Sequence, residues 1–303
     1  MSDVYSSIRA LLSGSPEFIK PVGITRFSTS EKPSNRDGWV LRGDDGVYRF
    51  GCWRQDLTGS FAGDQNRIFG QRRNQLCFQL AEVAKSHEIE KARASNAVTW
   101  NQALTPLSSG VVNLYLTKRG LSLPFFPQEI KESVLDYYID GMSIGKLPVM
   151  LGRVTNPSGD MVAIHRTYLS HDGLKTDVGQ PKKLSKINGP MAGSSIKFGE
   201  PELHKGRLTL GVAEGIETAL ACYLSSRIPT WSCVSAGGMK RFVWPEGLQS
   251  LIIFGDNDKS GVGQAAAQAL LKRAIQSGLE CRVLIPIEIG RDWLDVYVGG
   301  INE

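Results

Sequence analysis

The chain has 303 residues, of which 41% are hydrophobic and 21% charged, and it carries a formal net charge of +5. That length supports a sizeable core and about two domains, and the balance of residues is that of an ordinary soluble globular protein. No apolar run reaches the roughly 18 residues a membrane span needs, so no membrane association is expected.

The N-terminal "MSDVYSSIRALLSG" has an early acid and no long apolar stretch, so it does not read as a secretory signal. The five cysteines, Cys52, Cys77, Cys222, Cys233 and Cys281, are odd in number and form no C-x-x-C pair. That argues against a disulfide framework or a zinc ribbon and favours a reducing, cytoplasmic setting. Four of the five read as small buried hydrophobes.

Residues 1–20 open as a helix that breaks at Pro21. "WVLRGDDGVYRFGCW" reads as two short strands about a turn at Asp44-Asp45-Gly46. Residues 66–96 carry a helical period, with Leu76, Leu80, Val83 and Ala84 on one face. Residues 95–109 read as a linker, which sets a first domain at 1–105. Ser108 or Ser109 then caps a short helix ending near Gly120. Residues 134–170 alternate as a β-meander with turns at "PSGD" and "HDG", and 175–199 are loop-like.

Positive charge gathers in residues 165–207: His165, Arg166, His171, Lys175, Lys182, Lys183, Lys186, Lys197, His204, Lys205 and Arg207, against four acids. This is either a solvated basic face or a contact for nucleic acid or nucleotide. Residues 106–206 are thus read as a basic second region.

From residue 207 to 303 strands alternate with helices. "LTLGVAEG", "TWSCVSAGG", "SLIIFGDND" and "ECRVLIPI" are the strands. "IETALACYLSS", "SGVGQAAAQALLKRAIQSG" and "RDWLDVYVGG" are the helices. The pattern predicts a mostly parallel sheet flanked by helices, with ligands beyond the carboxyl ends of its strands. The fold class is therefore α/β at the C-terminus, preceded by a mixed α+β region.

Glu214, Gly237, Asp256 and Asp292 all fall just past strand ends. Carboxylates gathered at one sheet edge repel one another unless a cation neutralises them. Oxygen ligands without nearby His or Cys point to Mg²⁺ or Mn²⁺, the ions of phosphoryl and nucleotidyl transfer. Each acid also has a local alternative. Asp256-x-Asp258 could be turn or capping chemistry. Glu217 and Asp292 could serve a helix dipole.

The ordered set "VAEGIETAL" (212–220), "IIFGDND" (252–258) and "GRDWLD" (290–295) resembles the Toprim domain of bacterial primases, topoisomerases and some nucleases. The resemblance implies that Asp256 and Asp258 hold the metal. Glu214 would be a ligand or the acid/base, and Asp292, with Glu217 and Asp295, would complete the acidic cluster. "IHRTYLSHDGLKTDVGQPKKL" (164–184) is similar to the block that precedes Toprim in primases of phages, plasmids and integrative elements. That implies nucleotide or template contacts by Arg166, Lys182 and Lys183 in one basic groove, with Lys197 and Lys240 as further basic candidates. Gly237, Gly238 and Lys240 form either a phosphate-approach loop or a plain turn. Tyr168 and Leu169 read as strand core.

The first hundred residues lack the cysteine and histidine spacing of a zinc module. "VYRFGCWRQDLTGSF" (47–61) is similar to a hairpin of the mobile-element primases. Its Arg49, Trp53, Arg54 and Phe61 either track single-stranded DNA or build a hairpin core. No helicase domain is legible after the Toprim-like segment, which leaves a replicative helicase as a partner in trans. The activity implied is primer synthesis from ribonucleoside triphosphates on single-stranded DNA. The same features leave open a Toprim nuclease or a non-catalytic single-strand-binding protein.

Overall fold

The computed structural model describes residues 3–29, 35–54, 57–62 and 71–301, without the side chains of residues 58, 71–85 and 301. The helical face expected at Leu76, Leu80, Val83 and Ala84, and Cys77 with it, lies outside the described side chains. The chain forms two compact units, Met1–His87 and Glu88–Glu303.

The first unit begins with helix α1 (Val4–Leu12), which forms because Asp3 caps it and accepts from the Ser6 N–H. Val4, Ile8 and Leu12 recur every four residues, so one face is buried. Strands β1 (Ile24–Phe27), β2 (Gly38–Arg42), β3 (Tyr48–Cys52) and β4 (Leu57–Phe61) form an antiparallel meander in that order. The expected hairpin is β2–β3. In its turn, Asp45 accepts from the Val47 N–H and Gly46 adopts φ +74°. Phe61 packs against the core of this unit, whereas Trp53 stays 60% exposed. Trp53 lies beside Trp39, and Arg26 sits over its ring. Arg49 pairs with Asp45 and Arg54 with Asp37.

Helix α2 (Gln71–Gln102) runs through the boundary between the units. Residues 95–102, expected as linker, are therefore helical. Ala92, Asn96 and Trp100 recur every four residues and are buried, and Asn96 donates to Lys186 O and Asn188 Oδ1. Helix α3 (Val111–Lys118) is capped at Gly110 rather than by a serine, and its Val112 N–H donates to Glu132 Oε2. Strands β5 (Ile130–Ile139), β6 (Met142–Thr155), β7 (Met161–Tyr168) and β8 (Lys182–Leu184) form an antiparallel sheet in that order. Side chains alternate across it. Val149, Leu151, Ile164 and Tyr168 cluster with Trp100 on one face. Met150, Val154 and Ala163 join a larger core on the other.

The remaining elements are β9 (Glu202–His204), β10 (Arg207–Ala213), α4 (Ile216–Ser226), β11 (Thr230–Ser232), α5 (Ala236–Lys240), β12 (Ser250–Phe254), α6 (Val262–Gln276), β13 (Glu280–Leu284) and α7 (Trp293–Ile301). The sheet runs β11-β10-β12-β13, all parallel, with β9 antiparallel on β10. Near-continuous apolar strands suit a sheet covered on both faces. Ile216 and Leu220 of α4 pack against the antiparallel sheet in the shared core. Ala267 and Leu270 of α6 pack against Leu210, Val212, Leu251 and Ile253. Among the described residues no helix is long and apolar enough to cross a membrane.

The segment Gly237–Lys240 is a helix, neither open loop nor plain turn, with Ser235 as its cap. A Cβ on Gly238 would lie 2.0 Å from the Cys233 carbonyl oxygen, whereas one on Gly237 would meet nothing closer than 3.4 Å. Gly238→Ala is therefore expected to cost about 1–3 kcal/mol, and Gly237→Ala less than about 0.5 kcal/mol. Equal midpoints in denaturant unfolding would show that the α5 backbone yields instead.

Candidate active site

β10 and β12 are neighbours in register, with Ala213 opposite Phe254. The chains leaving them, Glu214 and Gly255-Asp256, therefore emerge side by side at one sheet edge. The strand order reverses between these two strands, which opens a crevice there. The segment carrying Asp292 is tied to the same edge by Asn257. Its N–H donates to Arg291 O (3.0 Å), its Nδ2 to Pro286 O (2.8 Å), and its carbonyl accepts from the Gly290 N–H (2.6 Å). Asn257 is the middle residue of the Asp-x-Asp motif. Its bracing role carries no charge signal, so the sequence does not single it out.

Glu214, Asp256 and Asp292 line a cavity of about 210 Å³. Its other lining groups include Arg119, Lys175, Lys182 and His165. Asp256 Oδ1 is buried with no hydrogen-bond partner. Burial pushes the Asp256 carboxyl up to about 7, and the charges of Asp292, Glu214, Asp258 and Asp295 add to the rise. Burial also raises Glu214, opposed by a hydrogen bond from the Ala236 N–H and reinforced by Asp258. The His165 ring is pushed down to about 4 by burial and then by the Lys182 charge, so it is neutral near pH 7.

Asp258 does not turn to the cavity. Its Oδ1 accepts from Ser260 N and Oγ, and its Oδ2 from the Gly263 N–H (2.7 Å). These bonds, the Ser260 side chain first, hold it below the usual carboxylate range. The second acid of the motif thus serves the start of α6 and contributes charge to the site from there. Asp292 and Asp295 form a reciprocal capping box on α7: Asp295 N–H to Asp292 Oδ1 (2.9 Å) and Asp292 N–H to Asp295 Oδ2 (3.2 Å). Asp292 still lines the cavity, while Asp295 is exposed.

Glu217 lines the same cavity as the other acids but is paired with cations there. It is 4% exposed, accepts from Tyr115 Oη at 2.5 Å and Lys182 Nζ at 3.0 Å, and has Lys175 Nζ at 3.6 Å. Burial pushes its carboxyl up, but the two ammonium charges and the phenol more than offset this and hold it below the carboxylate range. Burial, with the Glu217 charge, raises the Tyr115 hydroxyl, which stays protonated and donates. Tyr115 and Arg119 escape a motif search because they join the site only through folding, and the pairing of Lys175 with Glu217 escapes it for the same reason.

The expected basic groove divides. Adjacent strand residues point to opposite faces. His165 and Lys182 face the carboxylates, while Arg166 and Lys183 face the Tyr137–Tyr168 side. Lys183 Nζ lies 3.7 Å from the Tyr137 ring centroid and donates to Tyr138 O, and Arg166 sits against the Tyr168 hydroxyl. Lys197 lies over the Trp231 ring and lines a separate cavity with Phe126 and Tyr223. Lys240 is exposed at the end of α5.

Among the described residues, no three His, Cys, Asp or Glu side chains stand close enough to hold a metal ion as placed. The chemistry of the donor set nevertheless fits a divalent cation. A buried carboxylate oxygen without a partner, surrounded by further carboxylates, is the environment a cation relieves. Oxygen donors suit Mg²⁺ or Mn²⁺.

Because the folded Asp256 carboxyl titrates near 7, above its usual 3.8, the fold holds a proton that the unfolded chain has released. Without divalent cation, the Asp256 proton should therefore make the wild type lose stability relative to Asp256→Asn as pH rises from about 4 to 7, on the order of 2 kcal/mol after solvent screening, while the lowered His165 ring adds a rise that both proteins share. Mg²⁺ should restore wild-type stability above pH 7. Chemical denaturation of both proteins across pH checks this, and a difference between them that does not change with pH would refute it. Glu217→Gln removes the charge shared by two lysines that are 35% and 39% exposed. A loss of about 2–3 kcal/mol is expected, below a fully buried pair because the lysines reach solvent. An unchanged unfolding midpoint would mean the lysines need no partner there.

Residues 209–300 match the family model described as the Toprim domain, and residues 90–198 match a domain of unknown function, DUF7146. Lipoyl synthase 2 of Gloeobacter violaceus is 27% identical over 199 residues, 61% of this chain and 65% of that protein. Among solved structures, a DNA primase domain from Pseudomonas aeruginosa is 15% identical with a TM-score of 0.37, over 54% of this chain and 51% of that one. This chain thus spans about half the length of that structure. The primase fragment of the bacteriophage T7 primase-helicase protein is 13% identical with a TM-score of 0.39, over 91% and 95% of the two chains. The Aquifex aeolicus primase, with its zinc-binding and RNA polymerase domains, is 10% identical with a TM-score of 0.45, over 90% and 78%. The Glu-Gly helix start after β10, the Asp-x-Asp after β12, the parallel sheet and the family match agree: residues 209–300 of this chain are a Toprim domain.

Proposed function

We propose that the protein is a DNA primase that makes short RNA primers on a single-stranded DNA template by nucleotidyl transfer. The observation that carries this reading is the cavity at the carboxyl edge of the Toprim sheet. It sets an unpartnered, proton-holding Asp256 among further carboxylates and faces them with Lys175, Lys182 and Arg119. A wall of acids and a wall of cations in one cavity suits a nucleoside triphosphate accompanied by a divalent cation.

In this reading a 3′-hydroxyl attacks the α-phosphate of a ribonucleoside triphosphate, and the bond to pyrophosphate breaks. Lys182, Lys175 and Arg119 offset the triphosphate charge; the guanidinium offers paired donors and the ammoniums point charges. Glu214, whose carboxyl is raised by burial, would accept the proton of the attacking hydroxyl. Asp256 and Asp292 would hold Mg²⁺ or Mn²⁺, which when bound would supply charge neutralisation at the transferring phosphate. Asp258 holds α6 in place and adds negative charge. Positioning and electrostatics carry such a reaction. Lys183 and Lys240 are proposed to meet the template from outside the cavity, and a replicative helicase in trans is the expected partner.

Single-stranded DNA with labelled ribonucleotides and Mg²⁺ or Mn²⁺ provides the test. The wild type should yield short RNA, and Asp256→Asn should lose at least about a hundredfold in rate, the scale of one electrostatic group at a transferring centre. Metal-dependent cutting of the DNA in a lane without nucleotides, with no RNA made, would replace the primase with a nuclease. Tight DNA binding with neither activity would leave a binding module.

A further inference from the structure

A second cavity, of about 580 Å³, adjoins the first, lined by Lys183, Met191, Ser235, Gly238 and Arg241 among others. Three residues line both cavities: His165, Lys182 and Val234. What they meet follows from the nucleotidyl-transfer reading, on which this inference rests. With a triphosphate among the lysines and carboxylates of the small cavity, the base has its room in the larger one. The sugar, which joins phosphate to base, then lies at the junction.

The three junction residues differ in what they can offer a sugar. Lys182 is bound to Glu217 at 3.0 Å. Val234 presents only methyl groups, and its N–H lies within hydrogen-bond distance of Ser232 Oγ. It is held at φ +69°, a backbone region β-branched residues rarely adopt, so the loop spends strain to keep it there. His165 is the remaining polar side chain. It is 7% exposed, its Nδ1 has no hydrogen-bond partner, and its ring is neutral. A neutral imidazole carries one donor and one acceptor, the complement of a hydroxyl, which both gives and takes a hydrogen bond.

We propose that His165 contacts the ribose 2′-hydroxyl at the junction of the two cavities and so sets the preference for ribonucleotides over deoxyribonucleotides. Val234 closes the other side of the sugar position. The 2′-hydroxyl is the group by which a protein distinguishes the two sugars. A site built to bond it rejects the analogue that lacks it, because its own polar group is then left unpaired.

The test compares kcat/KM for ATP and dATP in templated incorporation by the full chain. His165→Phe keeps a flat ring without its hydrogen bonds, and His165→Asn restores a donor and an acceptor. The ATP-to-dATP ratio should fall about tenfold in the phenylalanine variant, the scale of one hydrogen bond, and recover partly in the asparagine variant. Should the phenylalanine variant not fold, His165→Ala, which only removes volume, carries the same expectation. An unchanged ratio, with both nucleotides used less well, would overturn the proposal while leaving the primase standing. A wild type that incorporates neither nucleotide would overturn both.

Discussion

Glu217 keeps its charge at a buried position on the cavity wall because two ammonium groups and a phenol meet it there. Its partners come from different parts of the chain: Tyr115 from α3, Lys175 from the loop after β7, and Lys182 from β8. A buried carboxylate without them would cost several kcal/mol. The network therefore ties the antiparallel sheet to the Toprim sheet at one point and aims two lysines at the carboxyl edge. The apolar core beneath, where Ile216 and Leu220 of α4 meet Met150 and Val154 of β6, supplies the bulk attraction. That attraction is non-directional. The ion pairs fix which side chains face which.

Asp256 is the opposite case. It sits at a neighbouring strand end, also largely buried, but its near neighbours are carboxylates and one of its oxygens has no partner. Other acids nearby are held by ordinary local chemistry: Asp258 caps α6, and Asp292 and Asp295 cap α7 reciprocally. Those caps keep negative charge close to Asp256 without bringing the carboxylates into contact. The same helix starts that stabilise the domain thus set the field at the site.

The parallel sheet was legible in the sequence because its signal is local: apolar strands closed by glycine or acid, each followed by a helical period. The acids at the strand ends were legible for the same reason. What sequence could not resolve was direction. Lys182 and Lys183 are neighbours in sequence, and only the pleat of β8 sends them to opposite faces. Glu217 looked like another acid beside Glu214, but one turn of α4 carries it into the core and against the lysines. Helix α2 ran through an expected linker because Asn96, polar and seemingly loop-like, is satisfied by a chain segment some ninety residues away. Each miss turns on a contact between distant parts of the chain, which no local pattern carries.

The charges of the site bear on what can bind there. Glu217 neutralises only one of its two lysines, so with Arg119 the basic wall keeps an excess of positive charge. The acidic wall is less well balanced: the Lys182 charge acts on Glu214 against burial and Asp258, and Asp256 stands among further carboxylates. A simple cation would satisfy the acids and leave the lysines bare, and a simple anion would do the reverse. Under the proposed function, a phosphate chain carrying a divalent ion would satisfy both walls at once. Such a complex would also lower the proton affinity of Asp256, because the neighbouring charges that raise it would be screened by the ion. Under the proposed function, binding of such a complex would release that proton, because burial and the neighbouring acids hold the Asp256 carboxyl up at about 7 in the free protein.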